Sequence, residues 1–298
     1  MKNPFNKTGK DIEILTTFST SLQADGKSAN TISGYLITAR QLLRAHKNDP
    51  GRITQESLDS FFSGFNSRNQ TQNIKKAAIN AFLAYLYARK RINRRFIIKS
   101  HNITLPEPEY LSKDEQDRFF EALQADPARI RDYTLFAVML YTGLRVSEVV
   151  NIRLKDIQDD QLVIRDSKTG PGKGYLRKKL TALLDSYLTS FKFPLGREDH
   201  IFQSKQRRRL SVRMVQLLIK KYLRLAGIRK DLAPHSLRHT FAANLMKSSG
   251  NLGIVQRSLR HKHIQSTMRY AHIEEEDLKN AVERSVKISV IKKKPSAI

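Results

Sequence analysis

Pro234-His235-Ser-Leu-Arg238-His239-Thr-Phe-Ala-Ala-Asn-Leu-Met246 is the stretch that decides how this chain is read. Proline suits a first helical turn, where its missing N–H is not needed. No glycine or further proline interrupts the run, so a helix is expected over about residues 234–248. His235 and Arg238 are three apart and share a face. Beside the free N–H groups of a helix start they form an anion site. A core histidine next to a surface arginine fits the same pair, and on these two residues alone that plainer reading is the stronger. His235 and His239 have zinc-ligand spacing, but Arg238 lies between them, no Glu stands second, and neither His261 nor His263 makes a convincing third ligand. No metal is expected.

Outward from this helix, two more clusters stand out. Leu259-Arg260-His261 is followed by Ile264-Gln-Ser266-Thr267-Met-Arg-Tyr270-Ala-His272, and far upstream lies Thr142-Gly143-Leu-Arg145-Val-Ser-Glu148. An arginine at a helix start opposes the macrodipole. Something must hold Arg145 there: an anion, or a bidentate pair with Glu148. A purely structural Arg–Glu bridge fits the spacing equally well.

The composition points to the partner. The 298 residues carry 54 Lys and Arg against 28 Asp and Glu, a net charge of +26. Such a field attracts polyanions and raises their encounter rate. Residues 1–104 hold 17 basic and 6 acidic side chains, net +11, and the remainder carries +15, so both halves would be drawn to one duplex, as in a clamp. Double-stranded DNA is the expected partner. A membrane surface is the weaker alternative, because no basic amphipathic stretch has a broad aromatic face. The absence of cysteine excludes a disulfide framework, a Cys-based zinc site and a thiol nucleophile. No run approaches a membrane span, and Met1-Lys-Asn-Pro-Phe-Asn-Lys7 lacks the apolar core of a secretory signal. A prokaryotic cytoplasm, close to the nucleoid, is the expected location.

The length suggests two domains. Helices are expected near 11–24, across Ile32–Leu43 capped by Ser28 or Asn30, at Leu58–Phe65 and across Ile74–Leu86. The last runs into Arg89-Lys-Arg91-Ile-Asn-Arg94-Arg95, denser in cations than a helix end needs, which favours phosphate contact. This gives a helical DNA-binding domain over 1–100 and a proline-containing linker over 101–110. A second domain over 111–298 opens with the capping box Ser112–Glu115. In it an apolar helix over 129–142 stops at Gly143. Gln161–Arg165 and Tyr175–Leu180 read as strands around the glycine-rich loop Asp166–Gly174. Helices recur near 181–191, 211–226, 234–248, 252–260 and 264–271. The fold class is mainly α with a small antiparallel sheet. Candidate DNA contacts are Lys75, Lys76, Arg89, Arg91, Arg94, Arg95, Arg207, Arg208 and Arg260.

Taken together, the three clusters resemble the boxes of the tyrosine recombinases, or phage integrases, of the simple two-domain Xer-like type. Their order and separations match, including the nine positions from His261 to Tyr270, and the helical first domain resembles that family's core-binding domain. The resemblance implies a site-specific recombinase that cuts and rejoins DNA through a 3′-phosphotyrosyl bond, without ATP, metal or cofactor. It assigns Arg145, His235, Arg238 and His261 to the scissile phosphate and Tyr270 to the nucleophile. It also places a lysine in the hairpin loop, where Lys168 is favoured over Lys173. Recombination implies four protomers on DNA. The acidic start Glu274-Glu-Glu-Asp277 and the stripe Leu278, Ala281, Val282, Val286 imply an assembly helix that docks on a neighbouring protomer. Two departures from the family pattern are Arg260 where glycine is usual and Ser266 in a Thr-Thr pair. Rival readings are a type I topoisomerase using the same ester and a non-catalytic DNA-binding regulator on the same fold.

Overall fold

The structure is a computed structural model describing residues 9–64, 69–102, 108–125, 130–165, 167 and 170–271. The chain divides into two units, Met1–Pro106 and Glu107–Ile298.

The first unit holds α1 (Gly9–Ala24), α2 (Ala29–Ala45), α3 (Gln55–Ser63) and α4 (Asn69–Ala88). Ser28 caps α2 by accepting the Thr31 N–H, and Thr54 and Ser57 make a reciprocal cap on α3. Phe18, Leu42, Leu43, Leu58, Ile79, Phe82, Leu83 and Leu86 interdigitate in one core. Past α4 the basic stretch turns the chain, and Arg89, Arg91, Arg94 and Arg95 are all exposed. The chain then runs back along α4 and is pinned by two asparagines. Asn80 accepts the Ile98 N–H at 2.8 Å and donates to the Ile98 carbonyl at 2.9 Å; Asn73 does the same for His101, both at 2.8 Å. His101, read above as the start of the linker, is therefore held in the first unit.

Lys76 also departs from expectation. It is 7% exposed, and its ammonium donates to the Lys99 carbonyl at 3.0 Å and lies 3.0 Å from His101 Nε2. Three positions before the core residue Ile79, it sits on the inward face of α4. In the chain without DNA it braces the returning segment against α4.

The second unit opens with α5 (Lys113–Gln124), whose capping box of Ser112 and Glu115 is present as expected. α6 (Ile130–Thr142) follows; residues Leu135 to Leu140 are all buried, so this helix is the core's axis. Then come α7 (Val146–Val150), β1 (Ile157–Gln158), β2 (Gln161–Ile164), β3 (Gly172–Tyr175), α8 (Lys178–Thr189), α9 (Val212–Leu225), α10 (Pro234–Ser249), α11 (Leu252–Leu259) and α12 (Gln265–Met268). The strands form an antiparallel sheet in the order β1-β2-β3, with Leu162 opposite Gly174 and Ile164 opposite Gly172. The third strand thus lies in the glycine-rich segment rather than at 175–180. Leu180, Leu184 and Tyr187 belong to helix α8 and face the core. α12 is also shorter than expected. Among the described residues no helix is long and apolar enough to cross a membrane.

α10 packs on α6, and Gly143 makes this close approach possible. It ends α6 at φ +64°, and a side chain there would run into the ring of Phe241. This contact brings Thr142–Glu148 against the helix that carries His235 and Arg238.

Candidate active site

Arg238 is the centre of the cluster. It is 2% exposed, and one Nη donates to the Gly143 carbonyl at 2.6 Å while the other donates to the Leu259 carbonyl. One side chain therefore ties the end of α6 to the end of α11. Burial, then the neighbouring Arg145, pushes its guanidinium down to about 10, so it stays charged at neutral pH.

Arg145 caps α7 and is held by Glu148, which accepts its Nη1 at 3.0 Å on one oxygen and its backbone N–H at 2.9 Å on the other. Glu148 is itself buried, and it also accepts from the Ser167 hydroxyl at 2.6 Å and from Arg260 Nη2 at 2.6 Å. Burial alone would raise its carboxyl, but these donors outweigh burial and hold it below the usual range.

His235 lies in the first turn of α10, its ring edge-on to His239 at 4.6 Å between centroids. His261 follows α11 and bonds Thr267 Oγ1 through Nδ1 at 2.9 Å. Tyr270 is 7% exposed, in a small core with Ala242, Val255 and Leu259. Its hydroxyl lies 2.5 Å from His239 Nδ1. Burial pushes the phenol up, opposed by Arg269 and then Arg238. Without DNA the tyrosine is thus a neutral phenol held by an imidazole.

Five of the six expected catalytic residues are therefore brought together: Arg145, His235, Arg238, His261 and Tyr270. The sixth, Lys168, lies outside the described residues, while Lys173 is exposed on β3. The expected assembly helix at 274–286 also lies outside them. Arg207 and Arg208 are exposed, Arg207 standing over the Phe193 ring at 4.9 Å. Arg260 points inward to Glu148 rather than out to a duplex. The partner of the Tyr270 hydroxyl is His239.

A model of the phage integrase family matches residues 109–277, and one of the phage integrase N-terminal SAM-like domain matches residues 14–91. The chain belongs to the phage integrase family. It is a tyrosine recombinase, a site-specific enzyme that breaks and rejoins DNA. It is 29% identical to tyrosine recombinase XerC of Caldanaerobacter subterraneus subsp. tengcongensis, over 92% of this chain and 85% of that one. It is 28% identical to tyrosine recombinase XerA of Pyrococcus furiosus, over 92% and 94%. Its fold is similar to that of the XerH site-specific recombinase bound to palindromic difH substrate in a post-cleavage complex. The TM-score there is 0.72 at 18% identity, over 95% of this chain and 90% of that one.

The recombinase's histidines make its stability sensitive to acid. Burial first, then His235, pushes His239 down to about 4. Burial first, then Arg238, pushes His261 down to about 4. From the ordinary 6.5 down to about 4 the unfolded chain binds these protons and the folded chain does not. Stability present above that window is therefore lost as pH falls through it. Urea midpoints taken from about pH 7 down to about pH 5 should decline, and the decline should be shallower in His239→Gln.

Proposed function

We propose that Tyr270 is the nucleophile of this recombinase and that Arg145, Arg238 and His261 hold the scissile phosphate. The observation that carries the reading is the contact of Tyr270 Oη with His239 Nδ1, made within the field of Arg269 and Arg238. Tyrosine is a weak nucleophile at pH 7, with a pKa near ~10, and needs a base and local positive charge. His239 is neutral at that pH, so its Nδ1 lone pair accepts the phenolic proton as the Tyr270 Oη–phosphorus bond forms. His235, edge-on behind it, completes a basic pair. The guanidiniums take the non-bridging oxygens and stabilise charge on pentacoordinate phosphorus.

The phosphorus–O5′ bond breaks, and the hairpin lysine, Lys168 ahead of Lys173, protonates the departing oxygen. The products are a 3′-phosphotyrosyl bond and a free 5′-hydroxyl. A 5′-hydroxyl from another strand reverses the step. One ester replaces another, so the chemistry needs neither ATP nor a resident cofactor.

The first unit serves as the core-type DNA-binding domain, with Lys75, Arg89, Arg91, Arg94 and Arg95 towards phosphates, and the stretch after His101 joins it to the catalytic domain. Exposure of the four arginines supports this. The working unit is a homo-tetramer on a specific recombination site in the cytoplasm, assembled in part by the helix that starts at Glu274. The test is strand transfer between two distinguishable duplexes carrying the cognate site, without ATP. Recombinant product is expected. Relaxation of supercoils with no joining would replace this reading with a topoisomerase, and binding with neither would replace it with a regulator.

A further inference from the structure

Arg260 occupies a position that should resist it. It caps α11 with φ +52°, a left-handed conformation that side chains rarely adopt. Its side chain is only 14% exposed. Nε and Nη1 are buried with no hydrogen-bond partner among the described residues. A cation held in a strained backbone with two donors unmet is retained by what its third contact achieves.

That contact is Nη2 on Glu148 Oε2 at 2.6 Å. Glu148 is the shared acceptor of three separate pieces of the site: Arg145 at the start of α7, Ser167 in the β2–β3 connection and Arg260 at the end of α11. Arg260 also covers β3. A methyl at Gly172 would sit 2.5 Å from Arg260 Cδ and 2.6 Å from its Nη1. The glycine in the strand is thus the space that the arginine fills. The neighbours of Arg260 in sequence are Leu259, whose carbonyl takes Arg238, and His261.

We infer that Arg260 is a positioning residue that locks the β2–β3 hairpin and Arg145 into the catalytic arrangement by seating on Glu148 and in the space left by Gly172. It does not touch the phosphate: its unmet donors are inaccessible to water, so a phosphate oxygen would not reach them either. The inference rests on the assignment of Arg145 to the scissile phosphate.

Gly172→Ala offers a way to disturb Arg260 without altering it, because the added methyl must push its Cδ and Nη1 out of the space they fill. The experiment compares wild type, Arg260→Gly, Gly172→Ala and the double variant. It measures the single-turnover rate of covalent adduct formation on a nicked suicide substrate at saturating DNA, with Kd and its salt slope measured in parallel. Arg260→Gly should slow the rate about 10- to 100-fold, as misplaced catalytic groups do, with Kd and salt slope unchanged. Gly172→Ala should slow it in the same direction, and should add nothing in the Arg260→Gly background. Additive losses would overturn the inference, as would an Arg260→Gly rate equal to wild type. A salt slope lowered by about one would instead make Arg260 a phosphate contact. Wild type that forms no adduct fails the underlying assignment, whereas wild type that cleaves alongside unaffected variants fails this inference alone.

Discussion

Tyr270→Phe is expected to bind DNA like wild type and to form no covalent adduct above background. The substitution removes a single oxygen from a side chain that is 7% exposed and packed against Ala242, Val255 and Leu259, so the ring keeps its place. Its structural cost is the lost contact with His239, about 1 kcal/mol for a hydrogen bond of this kind. Affinity is dominated by Lys and Arg on phosphates, none of which is touched. Chemistry is lost entirely, because no other atom stands where the phenol oxygen does. Adduct retention on a denaturing gel and Kd by anisotropy read the two properties separately. An undiminished adduct in Tyr270→Phe would remove Tyr270 from the mechanism.

Arg238→Lys is expected to combine a catalytic and a structural loss. Removing one preorganised donor to a developing oxyanion costs about 10²–10³ in rate, and adduct formation should fall by that factor. Lysine preserves the charge but not the planar fork. It cannot serve the Gly143 and Leu259 carbonyls together, as Arg238 does. A buried carbonyl left unpaired costs about 1–3 kcal/mol, so the thermal midpoint should also drop. Because Arg238 joins the ends of α6 and α11, the segment leading into His261 would lose one of its ties as well. A cleavage rate equal to wild type in a folded Arg238→Lys would contradict the role given to this residue.

Local chemistry made much of the helical framework readable. Ser28, and Ser112 with Glu115, announced helix starts, and the all-apolar run Leu135–Leu140 announced a buried axis. Gly172 and Gly174 look like loop residues in the sequence, yet they form the third strand. Gly174 is buried under Leu144, and Gly172 is the seat of Arg260, contacts made from outside the hairpin. The Leu180–Leu184–Tyr187 spacing is helical, and it draws residues 178–180 into α8 instead of a strand. Lys76 carried its own warning, three positions before Ile79 on the buried face of α4.

The site was legible in its chemistry but not in its pairings. His239 and Tyr270 are 31 positions apart, and Arg260 and Glu148 are 112 apart. Such contacts follow from how α10 and α11 pack, which no local pattern encodes. In the sequence His239 shows a zinc-like spacing with His235. Its partner proved to be the phenol.

The central claim is that Tyr270 carries the DNA. The most direct measurement traps the adduct on a nicked suicide substrate, trims the DNA with nuclease, digests the protein and sequences the modified peptide by mass spectrometry. The account predicts a nucleotide joined through its 3′-phosphate to Tyr270. A nucleotide on any other residue, or one joined through a 5′-phosphate, would contradict it.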